Sequence, residues 1–381
     1  MSIWNKDFII LLLINTCTSF SMQIIGPLFA GYAGQYATES QIGLLISAYA
    51  IAGMLVRPFS GIIADKFERK KIILVCQLAS ALIYFGISMA TNIQTMILLR
   101  LLHGFTNSIS TTNAMASATA SLPKEKIGSG IGLYGISTIG SQAVAPAIGI
   151  AIKGAFGYSA VFATTIALLV ISSLISFTLK PQRPVAKEKE KIALSNLFAK
   201  ESVGQAIIGM IFMSGSVTIN NFLVVFAEGR GIANVGYYFT IQVAIVIVLR
   251  LTCGRILDKT PYQYVLAPTS VLCFIGLIFI SRVQSFTYLV VAGILLGFGY
   301  GFANPVSQTS VIRQVEPERY GAASATYYLG VDVANAAGSM MMGFVAENYS
   351  YSAGFQIIAI PQIVVIPMLY FLTRKKKKAA S

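Results

Sequence analysis

Apolar runs of about twenty residues follow one another from residue 7 to residue 373, parted only by short charged clusters. Such a run crosses the ~30 Å of a bilayer's hydrocarbon when it coils into a helix, and in lipid a helix satisfies its own backbone groups. A soluble core has no room for so many. Hydropathy places spans at 7–34, 41–64, 71–91, 95–120, 128–152, 158–179, 203–227, 234–256, 263–281, 285–312, 320–344 and 351–373. The predicted fold is an all-α membrane protein of twelve transmembrane helices. Composition agrees, with 11% charged residues and a mean hydropathy of +0.72, where a soluble chain carries about 25% charged residues.

The spans fall into six, a charged linker and six more, which predicts an N-terminal six-helix bundle over 1–179, a linker over 180–202, a C-terminal bundle over 203–373 and a basic tail over 374–381. The linker holds Pro181, Pro184 and the KEKEK run at 187–191, a composition that cannot bury itself. If the N-terminus is cytoplasmic, only Lys153, Arg230 and Arg282 of the 28 Lys and Arg face outward, Arg57, Arg100 and Arg250 lie in or at the edge of spans, and the other 22 are cytoplasmic. That bias predicts a plasma-membrane protein with both termini inside. The net charge of +14 therefore marks loops beside an anionic bilayer, and no nucleic-acid partner is expected. Asn15, Thr18 and Gln23 interrupt the first run, which reads as a retained span rather than a signal peptide. Cys17, Cys76, Cys253 and Cys273 are scattered, so neither a disulfide frame nor a metal site is expected.

The two halves share a pattern at one offset. Arg57, Gly61, Asp65 and Lys66 are answered 193 residues on by Arg250, Gly254, Asp258 and Lys259. Gly104-Phe105 is answered by Gly297-Phe298 and Gly128 by Gly321, at the same offset. Six spans repeated in one orientation point to a duplicated transporter half.

Arg57, Gly61 and Asp65 are four apart and share one face of the second helix. Glycine there lets a neighbouring helix approach, and Asp65 can accept hydrogen bonds from a helix N-terminus or pair with a cation. Cations that merely anchor the end of a span are the alternative. The stretch Gly61-Ile-Ile-Ala-Asp65-Lys66-Phe-Glu-Arg69-Lys70 resembles the loop signature of the major facilitator superfamily, G-x-L-A-D-R-x-G-R-R. The resemblance covers essentially the whole chain and implies the fold of that family, two pseudo-symmetric six-helix bundles. It also implies a cytoplasmic gate at Arg57, Gly61, Asp65, Lys66, Arg69 and Lys70, with a weaker copy at Arg250, Gly254, Asp258 and Lys259. Glu68 stands where the signature has glycine, so this turn has to form without a permissive φ.

The fourth span reads Leu99-Arg100-Leu101-Leu102-His103-Gly104, similar to the family's R-x-x-Q-G with His103 in place of Gln. Arg100 lies about 9 Å in from the outer end by helical rise, where a guanidinium is costly unless paired or wet, so a functional role is weighed against snorkelling to the headgroups. His103, the chain's one histidine, either titrates or only makes hydrogen bonds. In the fifth span Gly135, Gly140, Pro146 and Gly149 resemble the family's antiporter motif G-x-x-x-G-P-x-x-G-G, with Ala145 and Ile150 replacing two glycines. The resemblance implies export, while close helix packing is the plainer reading.

Asp332 lies near the middle of the eleventh span, and a carboxylate there is either a proton carrier or half of a structural ion pair. Arg100 and His103 join it as candidates for proton coupling. Asn15, Ser19 and Gln23 share one helical face, as do Asn107 and Thr111, Asn304 and Gln308, and Asn335 with Asp332. With Asn221 and Gln242 they form the predicted substrate cavity, each one singly being open to a role in interhelical hydrogen bonding. The chain has no P-loop, nucleophilic triad or metal cluster in sequence. The expectation is a secondary transporter, not an enzyme and without cofactor, that works as a monomer and exchanges protons for a small organic compound. Proton-driven uptake or facilitated diffusion is the first alternative. A non-transporting receptor or scaffold is the second.

Overall fold

The structure is a computed structural model of the chain and describes residues 4–123, 126–181, 199–316 and 319–380. Within those, the side chains at 58, 61, 62, 64–66, 128, 250–259, 321 and 375–380 lie outside the described residues. The predicted gate residues Gly61, Asp65, Lys66, Arg250, Gly254, Asp258 and Lys259 fall in that group, and residues 182–198 of the predicted linker lie wholly outside the described residues.

Every regular element among the described residues is a helix. In chain order they are α1 (Lys6–Ile25), a 3-10 turn (Gly26–Leu28), α2 (Phe29–Ala33), α3 (Glu39–Lys66), α4 (Arg69–Met89), α5 (Ile93–Ala120) and α6 (Ile127–Ser176). A 3-10 turn (Lys200–Ser202) leads into α7 (Val203–Glu228), α8 (Gly236–Lys259), α9 (Tyr262–Ser281), α10 (Phe286–Ile312), α11 (Tyr320–Asn348) and α12 (Tyr351–Ala380). Local chemistry sets several of these ends. Asn5 and Asn92 cap α1 and α5, their side-chain oxygens accepting from the amides of Phe8 and Thr95 at 2.9 Å. The α3–α4 turn passes through Glu68 at φ −65° and ψ 112°, so it forms with ordinary backbone angles, as its missing glycine requires.

Two expected spans are joined differently from the hydropathy reading. The fifth and sixth run on as α6, broken at Gly157, whose φ of 78° and ψ of −179° only glycine adopts readily. No heavy atom of a neighbour would meet a Cβ added there, so the glycine is needed for its dihedrals alone. Gly157→Ala should cost about 1–3 kcal/mol, read as a lower midpoint of thermal unfolding in detergent. An unchanged midpoint would mean that the break shifts at no cost. The first span is likewise interrupted, because Gly26 and Pro27 turn α1 into α2 through a 3-10 turn.

Nine helices among the described residues are long and apolar enough to cross a membrane. One of them, Ser129–Ser176, has 48 residues, enough for two passes of about 20. α5 is not among the nine, since Arg100, His103, Asn107, Thr111 and Asn113 dilute its apolar character. The outer faces are oily, with Leu82, Phe85, Phe156 and Phe371 all more than half exposed. Exposed apolar surface on this scale belongs against lipid.

The helices form two compact units. Residues Met1–Ala37 and Ala48–Glu190 make unit 1, and Thr38–Ser47 and Lys191–Ser381 make unit 2. In unit 1, α6 packs on α1 and α4, and α4 on α5. In unit 2, α10 packs on α8 and α9, α7 on α11, and α9 on α12. The first turns of α3 belong to unit 2, where Ser47 donates to the Ala336 carbonyl at 2.7 Å and the Ser40 amide to Glu347 at 2.8 Å. Gly43 allows this approach, since a Cβ there would lie 2.6 Å from the Ser339 carbonyl oxygen.

The offset of 193 reappears in the packing. At Gly104 an added Cβ would strike the carbonyl of Tyr49 and lie 2.8 Å from Ala52, closing α5 on α3. At Gly297 it would lie 3.0 Å from the Gln242 carbonyl and 2.9 Å from Ile245, closing α10 on α8. Tyr49 and Gln242 are themselves 193 apart, as are Ala52 and Ile245. Each unit thus repeats one helix crossing, with glycine at the contact.

Candidate functional site

In unit 1 the site is built around Arg100. Counting from Ile93, it lies two turns into α5, about 10 Å along the axis, and it is only 8% exposed. Its guanidinium carbon lies 4.4 Å from the centroid of the Phe29 ring and 4.8 Å from that of Tyr49. Nη1 is 3.3 Å from His103 Nδ1, one turn on. A guanidinium has donors only, so Nδ1 accepts and the imidazole proton sits on Nε2. The Nε donor has no partner, and among the described residues no carboxylate pairs with this arginine. The cation is held by aromatic faces, each worth about 2 kcal/mol when desolvated.

More rings complete the surroundings. His103, 1% exposed, has the Tyr84 ring 4.6 Å away and the Tyr49 ring at 5.1 Å. The Tyr49 hydroxyl accepts from Asn107 Nδ2 at 2.6 Å, and Asn107 in turn takes the Thr111 hydroxyl on its carbonyl at 2.8 Å. Arg100, His103, Asn107 and Thr111 thus form one connected polar strip along α5. Phe29, Tyr49 and Tyr84 were not among the residues picked out by sequence, because polar spacing says nothing of aromatic side chains. The offset did carry a signal, since it maps the predicted cavity residue Gln242 onto Tyr49.

The other candidates of unit 1 separate into two groups. Asn15 turns its amide onto α6, donating to Ser137 Oγ at 2.7 Å, Thr138 Oγ1 at 3.0 Å and the Tyr134 carbonyl at 3.3 Å, the interhelical bonding that was its plainer reading. Ser19 and Gln23, half-buried on the same helix, have no hydrogen-bond partner among the described residues. Of the three glycines in the antiporter-like motif only Gly149 is closely approached, since an added Cβ there would strike the Ile24 carbonyl of α1. Gly135 and Gly140 face open space, and Pro146 lies within the helix.

Two of the predicted gate residues, Arg69 and Lys70, begin α4 and reach neighbouring helix ends. Arg69 Nη1 is 3.4 Å from the Ala116 carbonyl near the end of α5, and Lys70 Nζ donates at 2.7 Å to the Phe177 carbonyl that follows α6. Cations at helix C-termini complement the dipole there. Asn5 donates to the Ser121 carbonyl at 2.7 Å, so the start of α1 is fastened to this end of the unit as well. Arg57 is exposed and engaged.

In unit 2 the corresponding feature is Asp332. It lies twelve residues after Tyr320 in the 29-residue α11, about 18 Å along the axis, and is 6% exposed and engaged. Arg100 and Asp332 are the only formally charged side chains buried among the described residues. Asn335 donates to Val331 of its own helix at 3.0 Å, and Asn221 reaches Ser339 of α11 at 3.3 Å. Gln308 donates to the Tyr328 hydroxyl at 3.3 Å, whereas Asn304 keeps a buried oxygen with no partner. Gln242 is half-buried on α8.

Known proteins agree with this architecture. A family model described as Major Facilitator Superfamily matches residues 11–285 and 206–381. A multi-drug resistance efflux pump, PmrA, of Streptococcus pneumoniae serotype 4 is 30% identical over 219 residues, 55% of this chain and 54% of that protein, so the match spans about half of that relative's length. A PmrA homolog of Lactococcus lactis is 26% identical over 89% of this chain and 86% of its own, and the multidrug resistance protein MdtG of Proteus mirabilis is 25% identical over 86% and 84%. Among solved structures, the nucleoside transporter NupG superposes with a TM-score of 0.79 at 16% identity, covering 96% of this chain and 99% of that one. A bacterial homolog of the human lysosomal transporter Spinster gives 0.79 at 15%, covering 96% of each chain. At these identities the two structures speak for the fold.

Proposed function

This chain belongs to the Major Facilitator Superfamily, and from that premise we propose that it is a proton-coupled antiporter exporting a small organic compound. The observation that carries the proposal is the pair of buried charges in α5 and α11. A carboxylate at mid-helix is expensive in hydrocarbon, about 2.5–3.5 kcal/mol on insertion scales, and Asp332 is the described acid in that position. It is the proton carrier in this reading. Arg100 and His103 are the further proton-coupling residues of this reading, and the family's alternating access supplies the motion. Relatives named as multi-drug efflux pumps and a multidrug resistance protein support export.

The substrate is a fairly apolar, uncharged or weakly polar molecule. Unit 1 offers it aromatic rings, amides and hydroxyls beside a buried cation, and α1 presents Asn15 and Gln23 where an acid would suit a cationic drug. Ser19, Gln23, Asn107, Thr111, Asn221, Gln242, Asn304, Gln308 and Asn335 are its candidate contacts, while Asn15 holds α1 to α6. The protein works as a monomer in the plasma membrane with both termini cytoplasmic, its basic loops against the anionic inner surface. Arg57, Gly61, Asp65, Lys66, Arg69 and Lys70, with Arg250, Gly254, Asp258 and Lys259 of the second half, form the gate on that side.

Everted vesicles carrying an imposed ΔpH test the reading. Adding a transported compound should release protons from the vesicles, and the release should be absent from vesicles lacking the protein. Silence across a broad panel of apolar compounds would reject antiport, and proton entry together with substrate would assign uptake instead.

A further inference from the structure

A cavity of about 550 Å³ lies in unit 2 between the start of α9 and the end of α12, and no residue that lines it is assigned to transport. Its α12 wall is one helical stripe, Ile366, Leu369, Tyr370 and Arg374, and its α9 wall is formed by Tyr264 and Ala267. The small side chain of Ala267 leaves the room. Leu369, 3% exposed, floors the groove with carbon, whereas Tyr264 and Tyr370 stand 69% and 60% exposed at its sides. Half-apolar rings belong where a helix leaves the hydrocarbon layer. Arg374 stands at the same end, and the sequence continues as Lys375-Lys376-Lys377-Lys378, five cations in succession.

The groove thus grades from carbon through phenol to cation within two turns of helix. A soluble anion would find no use for the apolar floor, and an uncharged lipid none for the cations. We propose that this groove binds one anionic phospholipid, with the upper acyl chain lying along Ala267, Ile366 and Leu369 between the two tyrosines and the phosphate taken by Arg374. The occupant is chosen by charge, since no acidic side chain among the described residues lines the groove. Near a membrane surface each added cation strengthens the hold on an anionic headgroup about fivefold. The proposal does not depend on which compound the protein carries.

Native mass spectrometry of the full chain in a neutral detergent, titrated with phosphatidylglycerol or with phosphatidylcholine of the same acyl chains, is the test. The wild-type chain should retain one phosphatidylglycerol at concentrations where it retains no phosphatidylcholine. Ala267→Phe, which fills the groove and leaves every cation in place, should abolish that retention, and the exposed Arg374→Gln should weaken it about fivefold. Thermal unfolding tells whether Ala267→Phe is folded. If it is not, Arg374→Gln decides alone, because Lys375–Lys378 remain and a tail-only contact would lose little. Equal retention of the two lipids overturns the proposal. So does full phosphatidylglycerol retention by folded Ala267→Phe or by Arg374→Gln.

Discussion

Asp332→Asn is expected to cut ΔpH-driven transport between about tenfold and a hundredfold, while exchange of labelled for unlabelled substrate without a gradient continues. The size follows from the charge. What one carboxylate can contribute to coupling is bounded by the cost of its ionised form in hydrocarbon, about 3 kcal/mol at a helix centre, and that free energy corresponds to roughly a hundredfold. Asparagine keeps the shape of Asp332, which is 6% exposed in α11, and loses its charge and its titratable proton. The competing role, a structural pair with the partner it has there, predicts a different result. Breaking a buried pair from one side costs about 3–5 kcal/mol, so exchange, accumulation and thermal stability would then fall together. Full ΔpH-driven accumulation by Asp332→Asn would remove the residue from the mechanism.

Periodicity and charge made the fold legible, and their blind spots are physical. Helical runs, caps and the offset of 193 are local or self-similar properties, so the crossings at Gly104 and Gly297 echo a pattern already in the chain. Hydropathy located the break between the fifth and sixth spans but not its form, since one glycine with a positive φ is enough to part them. Faces were legible where neighbours were not. Asn15 and Gln23 share a helical face, yet Asn15 spends its amide on Ser137 and Thr138 while Gln23 has no described partner. Spacing within one helix holds no information about which hydroxyl stands across from it. The surroundings of Arg100 show the same limit. A lone arginine in an apolar span calls for a carboxylate by simple electrostatics, whereas in unit 1 aromatic faces and an imidazole take that place.

That arrangement makes the paired substitutions at Arg100 and His103 diverge. Arg100→Gln removes the cation from between Phe29 and Tyr49, two contacts worth about 2 kcal/mol each in a desolvated site, and should lower both thermal stability and transport, the latter at least about tenfold by the same free energy. His103→Gln should stay within about twofold of the parent. The amide oxygen of glutamine can accept from Nη1 where Nδ1 now does at 3.3 Å, and the substitution restores the residue the family pattern has at this point. His103→Leu offers no acceptor, so Nη1 would join Nε as a buried donor without a partner, at a cost of about 1–3 kcal/mol. The series separates holding from carrying. If His103 only holds Arg100, glutamine rescues what leucine loses. If His103 carries the proton, both variants lose ΔpH-driven accumulation while exchange persists, and the assignment of Asp332 as carrier would have to be shared with it.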